Sequence, residues 1–487
     1  MRALISVTDK SGLEEFCRGL KKNGWVITAT SGTAAYLKSK NIPADDTSAL
    51  TGFAEMLGGR VKTLHPMVFG GILARAEDKA DIKKFKLPLI DMVAVNFYKL
   101  KKGRNFEETI DIGGLALLRA AAKNYKRVIC LCDPNDYKCV LEAVEKGRMD
   151  EKMRRSLAVK AFELCALYNK RIVDIMSPAR REFPEYLSVS SKKIMNLRYG
   201  ENPHQKAAFY SEKTFPGKIL QGKPLSYNNI LDIEAAILPV LRFSTPGCVI
   251  IKHTNPCGAA VSAKQEEAYK NALACDRVSA FGGIVSFNRK VSEKTAALVG
   301  KHFFEVVAAP NFDAGARKIL AQKPKLILFK YHKWDSKKAL RSALGGYLVQ
   351  EAKFPKIKLR EACGKLTKAE RDDIAFGLNI AFSAASNASV IVKNGKTIGI
   401  CPGQCSRIES VKIAIRKAIK VAGKRTKGMV LVSDGFFPFD DSIRAAASAG
   451  IKVVAAPAGS VKDKLIAAAA KKLGVKLAFI GNRLFRH

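Results

Sequence analysis

The stretch from Cys248 to Gly258, CVIIKHTNPCG, places a lysine, a histidine and cysteines around a turn sequence that ends an apolar run. Such residues could form a metal site, a cysteine nucleophile or a histidine acid/base centre, or could belong to a strand that ends in a turn. A zinc deaminase needs H-x-E followed by P-C-x-x-C. Neither the glutamate nor the second cysteine is present here. The ligand set therefore does not fit a metal.

Lys252 and His253 are the reactive pair that this stretch leaves. A nucleophilic Cys257 would need a base beside it, which nearness in sequence does not establish. In an extended strand, the side chains of Lys252 and His253 point to opposite faces. The Asn255-Pro256 pair indicates a turn that would let both reach one ligand. From these residues alone, His253 is either an acid/base group or a structural residue at a strand end.

Two stretches near the N-terminus have the residue types that bind anions. Ser31, Gly32 and Thr33 follow an apolar strand and open a helix, where backbone N–H groups and the helix dipole favour phosphate. Lys62 and Thr63 lie in the basic segment GRVKTLHP, which suits an anionic ligand. The plainer interpretations are a capped helix start and a solvated basic turn.

Asp111 precedes a predicted helix that contains Lys123. A carboxylate at a helix N-terminus is favourable without any further role. Lys123 follows about three helical turns later on a mostly apolar face. Its ammonium either extends to water or takes part in catalysis.

The elements that must position these residues alternate between strand and helix. ALISV, WVITA, DMVAVNFY and RVICLC predict strands, and TSGTAAYLKSK and GGLALLRAAAKNY predict helices. Ser11 and Glu14 predict a capping box at the first helix. The same alternation returns near the C-terminus, from MVLVS to VKLAFI. This order predicts an α/β fold with a mostly parallel sheet, and the loss of apolar periodicity between Phe183 and Asn196 predicts a domain boundary.

Composition limits the classes of function. The 487 residues, 47% of them hydrophobic, suffice for a large core. The 84 Lys and Arg against 44 Asp and Glu give a net charge of +40. These cations are dispersed along the chain, which argues against nucleic acid as the main partner and favours small polyanions.

The eleven cysteines form no CxxC framework. Without an apolar segment long enough to span a bilayer, we expect a cytoplasmic protein with reduced thiols and no membrane partner.

In combination, these stretches resemble the AICAR transformylase/IMP cyclohydrolase family of purine biosynthesis. The resemblance covers the whole chain in family order, through SVTDKSGL, TSGTAAYL, LTGFAEMLGGRVKTLHP, IDIGGLALLRAAAKN, LRYGENPHQ, LSYNNILDIEAA, IKHTNPCGAA, SAFGGIVSFNR, GQCSRIESV, SDGFFPFDDSI and IGNRLFRH.

The resemblance implies a fold and a reaction. Residues 1–190 are expected to form a methylglyoxal-synthase-like cyclohydrolase domain. Residues 191–487 are expected to form a transformylase region of two cytidine-deaminase-like units, roughly 191–360 and 361–487. The enzyme would transfer a formyl group from the cosubstrate 10-formyltetrahydrofolate to AICAR, without a metal. It would then close formyl-AICAR to IMP with loss of water. The family is typically homodimeric, with transformylase sites across the dimer interface.

Site residues follow from the same resemblance. The transformylase residues are catalytic Lys252, His253 and Asn387, with Arg198, Tyr199, Phe436 and Arg483 binding substrate. The cyclohydrolase residues are catalytic Lys62, Tyr98, Asp111 and Lys123, with a nucleotide and phosphate pocket of Ser6, Lys10, Ser31, Gly32, Thr33 and Thr63.

The chain departs from the family pattern just before Asn387. Phe382 and Ala385 stand where basic residues are common in the family. An alternative function, in which only the cyclohydrolase half is fully active, follows from this departure.

Overall fold

The computed structural model describes residues 1–177, 183–334, 338–423 and 426–487. These residues divide into two compact units, Met1–Ser190 and Ser191–His487. No helix in the described ranges is long and apolar enough to cross a membrane.

The first unit is built on a five-stranded parallel sheet with the order β3-β2-β1-β4-β5. Its strands are β1 (Arg2–Ser6), β2 (Val26–Ala29), β3 (Asp45–Asp46), β4 (Met92–Val95) and β5 (Ile129–Leu131). Its helices are α1 (Leu13–Lys22), α2 (Ser31–Ser39), α3 (Thr47–Thr51), α4 (Pro66–Leu73), α5 (Lys79–Lys84), α6 (Gly113–Lys123), α7 (Tyr137–Glu145) and α8 (Glu151–Met176). Short 3₁₀ turns occupy Leu57–Gly59, Glu107–Thr109 and Pro134–Asp136.

Helix α1 begins differently from the prediction. Its N-cap is Gly12, in a left-handed conformation with φ of 67°, and no side chain caps the helix. The Ser11 hydroxyl instead donates to Asp9 at 2.6 Å. The predicted Ser11–Glu14 capping box is therefore wrong, because Asp9 competes for the serine from the loop before the helix.

The order of this sheet places a crevice between β1 and β4. The chain goes from β1 outward to β2 and β3, and then crosses to β4 on the other side of β1. In open parallel sheets, ligands bind at the carboxyl ends of the strands where the order reverses. Ser6 ends β1 at this edge, and Asn96 directly follows β4. The Asn96 side chain fastens the two loops by accepting from the backbone N–H groups of Thr8 and Asp9 at 2.6 and 2.9 Å.

The second unit contains a mixed twelve-stranded sheet with the order β16-β21-β20-β19-β17-β18-β10-β9-β11-β12-β13-β8. Its first elements are β6 (Lys192–Leu197), β7 (Ala207–Ser211), β8 (Gly217–Gln221), α9 (Tyr227–Val240), β9 (Gly247–Lys252), β10 (Asn255–Val261), α10 (Gln265–Cys275), β11 (Ile284–Phe287), α11 (Glu293–Val299), β12 (Val306–Ala309), α12 (Ala314–Leu320) and β13 (Ile327–Tyr331). The remaining elements are β14 (Lys338–Ala343), β15 (Gly346–Glu351), β16 (Leu359–Cys363), α13 (Lys368–Ala381), β17 (Ser389–Lys393), β18 (Lys396–Cys401), α14 (Arg407–Ala422), β19 (Val430–Ser433), α15 (Asp441–Ser448), β20 (Val453–Pro457), α16 (Asp463–Lys472) and β21 (Lys476–Ile480).

This second unit is an internal duplication, as the resemblance predicts. Outward from the central β10–β18 pair, one half continues β9-β11-β12-β13-β8 and the other β17-β19-β20-β21-β16. Both halves have the same pairing directions: antiparallel, then parallel twice, then antiparallel at the outer strand. The strand pairs β6–β7 and β14–β15 form separate two-stranded ribbons.

Candidate active sites

Hydroxyl groups organise the carboxyl ends of β1 and β2 in the first unit. The Thr30 hydroxyl donates to the Ser6 hydroxyl at 3.1 Å. The Thr33 hydroxyl both accepts from and donates to the backbone of Val7, at 3.2 Å each. A side chain at Gly32 would meet open space, so the start of α2 is accessible there. These hydrogen bonds join the end of β1, where Ser6 lies, to the start of α2, where Thr33 lies; their role as an anion pocket stays a prediction.

Glu55 occupies the position between two predicted ligand-binding residues. Its Oε2 atom accepts from the Ser31 hydroxyl at 3.1 Å and lies 3.0 Å from Lys62 Nζ. The hydrogen bonds from Lys62 and Ser31 hold the pKa of Glu55 below its usual range. The structure therefore brings Ser31 and Lys62 to one shared anion. Lys10, the other predicted cation of this pocket, has its Nζ 5.6 Å from the centre of the Tyr36 ring.

Asp111 is buried just before α6, with 9% of its surface exposed. Its Oδ1 accepts from the Gly114 N–H at 2.6 Å. Burial raises the pKa of Asp111, partly offset by the backbone N–H groups of Gly114 and Tyr98. The Tyr98 side chain itself is exposed. Thr63 is also buried, and a side chain added at Gly113 would lie 3.0 Å from its hydroxyl. Thr63, Tyr98 and Asp111 thus surround the start of α6.

The structure does not bring Lys123 to this group. Lys123 is the last residue of α6, which has 11 residues and is therefore about 16 Å long. The next residue, Asn124, donates to the carbonyls of Ile72 and Ala74, and Arg127 pairs with Asp91 just before β4. Those contacts belong to the amino edge of the sheet. Asp111 lies at the opposite end of the helix.

The stretch CVIIKHTNPCG forms a β-hairpin in the second unit. Strand β9 ends at Lys252, which pairs with Asn255 at the start of β10. His253 and Thr254 form the two-residue loop with φ of 52° and 59°, the positive angles of a type I′ turn. Asp232 of α9 accepts from the N–H groups of both, at 3.2 Å from His253 and 2.6 Å from Thr254. The backbone thus turns directly after Lys252.

The reactive groups of this hairpin are its lysine and histidine. Burial raises the pKa of Cys257 to about 12, so that thiol stays protonated and is a poor nucleophile. Cys248 lies fully buried in the core. Lys252 Nζ donates to the carbonyl of Phe281 at 2.8 Å, and His253 is exposed. Within the described ranges, no three His, Cys, Asp or Glu side chains are grouped to hold a metal ion.

Asn387 is fixed by the second half of the duplication. Its amide nitrogen donates to the carbonyls of Gln404 and Cys405 at 2.8 and 3.1 Å. Its amide oxygen accepts from Arg407 Nη2 at 2.6 Å. The orientation of this amide is therefore determined by the protein itself.

Two side chains tie the His253 turn to the Asn387 segment. Asn255 donates to the His253 carbonyl at 3.0 Å and accepts from the Ala385 N–H at 2.9 Å. Arg486 Nη1 donates to the carbonyls of Thr254 and Ser383, at 2.8 and 2.6 Å. The structure thus connects the two predicted catalytic segments, which are far apart in the sequence.

The predicted substrate-binding residues of this unit lie on nearby loops. Phe436 follows β19 and is half-buried. The Arg483 guanidinium lies 5.1 Å from the ring centre of Phe485, and a side chain at Gly435 would clash with that ring. Arg198 donates to the Tyr199 hydroxyl at 2.8 Å. Backbone hydrogen bonds join this pair to the segment that begins α9, the helix that carries Asp232.

The departure at Phe382 has a structural counterpart. Phe382, Ser383, Arg242 and Arg486 are among the residues that line a cavity of about 150 Å³. The Arg242 guanidinium lies 5.3 Å from the ring centre of Phe382 and 4.6 Å from that of Phe354. A cation therefore lies beside this position even though the residue itself is aromatic.

Sequence reasoning missed several residues of the network. Asp232, Asn255, Arg407, Asp434 and Arg486 all act on the predicted catalytic segments through contacts between distant parts of the chain. All lie in or beside family-like stretches, which was the available signal. Their partners could not be deduced from spacing.

Two family models match this chain. A family model described as an MGS-like domain matches residues 12–126, and one described as the AICARFT/IMPCHase bienzyme matches residues 121–417. The bifunctional purine biosynthesis protein PurH of Persephonella marina is 43% identical over 517 residues, covering 100% of this chain and 99% of the relative. The PurH proteins of Aquifex aeolicus and Clostridium perfringens strain SM101 are 41% and 42% identical, covering 100% of this chain and 100% and 99% of those relatives.

These matches confirm the predicted methylglyoxal-synthase-like fold near the N-terminus, over residues 12–126, and the family recognised from the motifs. The chain belongs to the AICARFT/IMPCHase bienzyme family, which combines AICAR formyltransferase with IMP cyclohydrolase.

Proposed function

We propose that this bifunctional enzyme of purine biosynthesis divides its two reactions between its two units. Formyl transfer from 10-formyltetrahydrofolate to AICAR belongs to residues 191–487, with repeats of roughly 191–360 and 361–487. Ring closure of formyl-AICAR to IMP belongs to residues 1–190. The observation that carries this division is the pair of separate polar networks, one around the His253 turn and one around Asp111.

Formyl transfer is proposed to occur at the His253 turn. The AICAR amine is a weak nucleophile, because its lone pair is conjugated with the imidazole carboxamide. Its nitrogen attacks the formyl carbon while His253 takes the amine proton. Lys252 stabilises the developing oxyanion. The C–N10 bond of the folate then breaks, and the proton is delivered to N10. Acid/base help of this kind contributes roughly 10²–10⁴ in rate, and a positioned oxyanion donor contributes a similar factor.

Asn387 was predicted to be catalytic, but both of its amide donors are engaged by the Gln404 and Cys405 carbonyls and its oxygen accepts from Arg407. We therefore propose that it orders this loop beside the turn rather than contacting substrate. Arg198, Tyr199, Phe436 and Arg483 are proposed to bind the nucleotide. The guanidinium of Arg242 lies beside Phe382 and supplies positive charge next to the position where the family commonly has a basic residue. This charge supports a working transformylase.

Ring closure is proposed to occur at the carboxyl edge of the first sheet. The reaction is intramolecular, so holding the formyl group against the carboxamide nitrogen supplies much of the rate. Asp111 and Lys62 are proposed to transfer the proton and to stabilise the developing charge. Tyr98 is proposed to form a hydrogen bond to the closing ring. Raised by burial, the pKa of Asp111 suits proton transfer better than that of an exposed carboxyl. The anion pocket is Ser6, Lys10, Ser31, Gly32, Thr33 and Thr63.

The setting of the enzyme follows the family. We propose a cytoplasmic homodimer that uses 10-formyltetrahydrofolate as cosubstrate, requires no metal, and acts on small molecules rather than nucleic acid.

Two variants test the division of labour. His253→Ala should abolish tetrahydrofolate release from AICAR and 10-formyltetrahydrofolate, yet still close supplied formyl-AICAR. Asp111→Ala should do the reverse. Loss of both reactions in either folded variant would contradict the two-site assignment. Wild-type protein that closes formyl-AICAR but releases no tetrahydrofolate would instead leave only the cyclohydrolase half active.

A further inference from the structure

The His253-Thr254 turn has a backbone conformation that its residues do not favour. Type I′ turns prefer Asn-Gly, because both central residues need positive φ. Histidine is tolerated in this region, but threonine is β-branched and is a genuine outlier there. Such conformations persist only where the surroundings impose them. Here the carboxylate of Asp232 accepts from both N–H groups of the turn.

The second half of the duplication contains the same arrangement with ordinary turn residues. Strands β17 and β18 are joined by Asn394-Gly395, with φ of 53° and 68°. Asp373 of α13 accepts from both of their N–H groups, at 2.8 and 2.6 Å. Asp373 follows the N-cap residue Thr367 of α13 by the same interval as Asp232 follows Ser226 of α9.

The two turns differ in whether their own residues favour positive φ. Asn394-Gly395 adopts its turn by its own preference, so the Asp373 carboxylate adds to a conformation that already suits the chain. His253-Thr254 lacks that preference. Without the carboxylate, the turn would relax toward negative φ, and the direction of the His253 side chain would change with it.

We propose that Asp232 is a positioning residue for formyl transfer, which acts by imposing the left-handed turn that aims His253 at the substrate. This inference rests on the proposed role of His253. The carbonyl groups of the turn are held as well: Arg486 donates to the Thr254 carbonyl, and Asn255 donates to the His253 carbonyl. Misplacing a reacting group by about 1 Å costs on the order of 10²-fold in rate.

The first experiment compares Asp232→Ala with its structural counterpart, Asp373→Ala. We expect Asp232→Ala to lower kcat for formyl transfer by about 10²-fold, with KM for AICAR changed less than about threefold. Asp373→Ala should keep kcat for formyl transfer within about threefold of wild type, because Asn-Gly keeps its turn. Equal losses in both folded variants, or a change confined to KM, would overturn the proposal.

The second experiment restores the turn without the carboxylate. Glycine takes positive φ without steric cost, so Thr254→Gly in the Asp232→Ala background should recover at least about tenfold of the lost kcat. Thr254→Gly alone is the reference for the double variant. No recovery in a folded double variant would show that Asp232 acts by its own chemistry rather than through the turn, and would overturn the proposal.

Two further variants keep the test decisive. Asp232→Asn retains one amide oxygen for the Thr254 N–H, so its loss of kcat should lie between those of wild type and Asp232→Ala. If Asp232→Ala fails to fold, judged by near-ultraviolet circular dichroism, Asp232→Asn with and without Thr254→Gly takes its place. His253→Ala is assayed alongside: retained formyl transfer there would refute the role of His253 itself, whereas an inactive His253→Ala with a fully active Asp232→Ala would refute only the positioning.

Discussion

Arg407 and Asp434 form an ion pair that the interior of the second unit closes off from water. Only 7% of the arginine side chain and 0% of the aspartate side chain are exposed. Arg407 Nη1 donates to Asp434 Oδ1, while its Nη2 donates to Asn387. Asp434 also accepts from the Ala388 N–H at 2.9 Å and from the Ser386 hydroxyl. One buried pair thus holds the whole segment around Asn387.

Removing one partner of this pair should be costly. Arg407→Leu leaves the Asp434 charge buried without its counter-ion, a situation that typically costs about 3–5 kcal/mol. We expect a drop of that size in the free energy of unfolding from urea titration, together with loss of formyl transfer. The exposed pair Arg444–Asp440 is the control, and Arg444→Leu should leave the unfolding midpoint unchanged. A similar small effect for both variants would contradict this account.

Much of the architecture could be predicted from local pattern. The apolar strands and the amphipathic helix α1, whose Leu13, Phe16 and Leu20 are buried, follow from period and composition, because burying an apolar side chain contributes roughly 1.5–3 kcal/mol. A turn after Lys252 was predicted from Asn255-Pro256, but these two residues begin β10, and the turn is formed by His253 and Thr254. Local pattern failed at Ser11, where a hydrogen bond to Asp9 competes with the capping box.

The contacts that organise the sites lie beyond local pattern. Asp232 meets His253 across 21 positions, and Asn255 meets Ala385 across 130. Such pairs depend on how helices and strands pack, and spacing along the chain contains no information about them. Lys123 lies in a family-like motif, but the motif does not reveal how far Lys123 lies from Asp111. That distance follows only from the length of α6, which separates the two residues.

Glu55 is expected to compete with the substrate anion for Ser31 and Lys62. Its carboxylate accepts from Ser31 and pairs with Lys62, so a substrate anion must displace it. Glu55→Gln removes the competing charge and should lower KM for formyl-AICAR by about two- to fivefold, an effect that salt should weaken because the Glu55 carboxylate is exposed. Glu77→Gln, which removes an exposed carboxylate paired with Arg75, should leave KM unchanged. A higher KM for Glu55→Gln would mean that Glu55 assists binding.

Lys62 and Lys123 should differ in ring closure. Lys62 shares the Glu55 carboxylate with Ser31 at the predicted anion pocket, whereas Lys123 lies at the far end of α6. We expect Lys62→Ala to lower kcat/KM for formyl-AICAR by about 10²-fold or more and Lys123→Ala by only a few-fold, since direct catalysis requires hydrogen-bond reach. The assay follows IMP formation from supplied formyl-AICAR. If folded Lys62→Ala and Lys123→Ala lost similar amounts of kcat/KM, Lys123 would have to act directly in ring closure, and its placement away from the site would be wrong.

Asp111 should lower stability at neutral pH while serving catalysis. Burial raises its pKa above the ordinary value of 3.8, so its contribution to stability is complete below that value and is lost as pH rises through the raised pKa. Asp111→Asn keeps an oxygen for the Gly114 N–H and removes the buried charge. We therefore expect a melting temperature at pH 7 at or above that of wild type, a difference that shrinks toward pH 4, and a loss of ring closure of about 10²-fold or more.

Asp133 provides the comparison of opposite sign in the same unit. Burial alone would raise the pKa of Asp133, but hydrogen bonds from Lys160 and Asn135 outweigh it and lower the pKa overall. The contribution of Asp133 is thus present above the ordinary carboxyl pKa and is lost as pH falls through the lowered one. Asp133→Asn should reduce the melting temperature at pH 7, and the deficit should shrink in acid. If Asp111→Asn instead lowered the melting temperature at pH 7 as Asp133→Asn does, the Asp111 carboxylate would be a stabilising group, and its proposed role as a buried proton carrier would lose its physical basis.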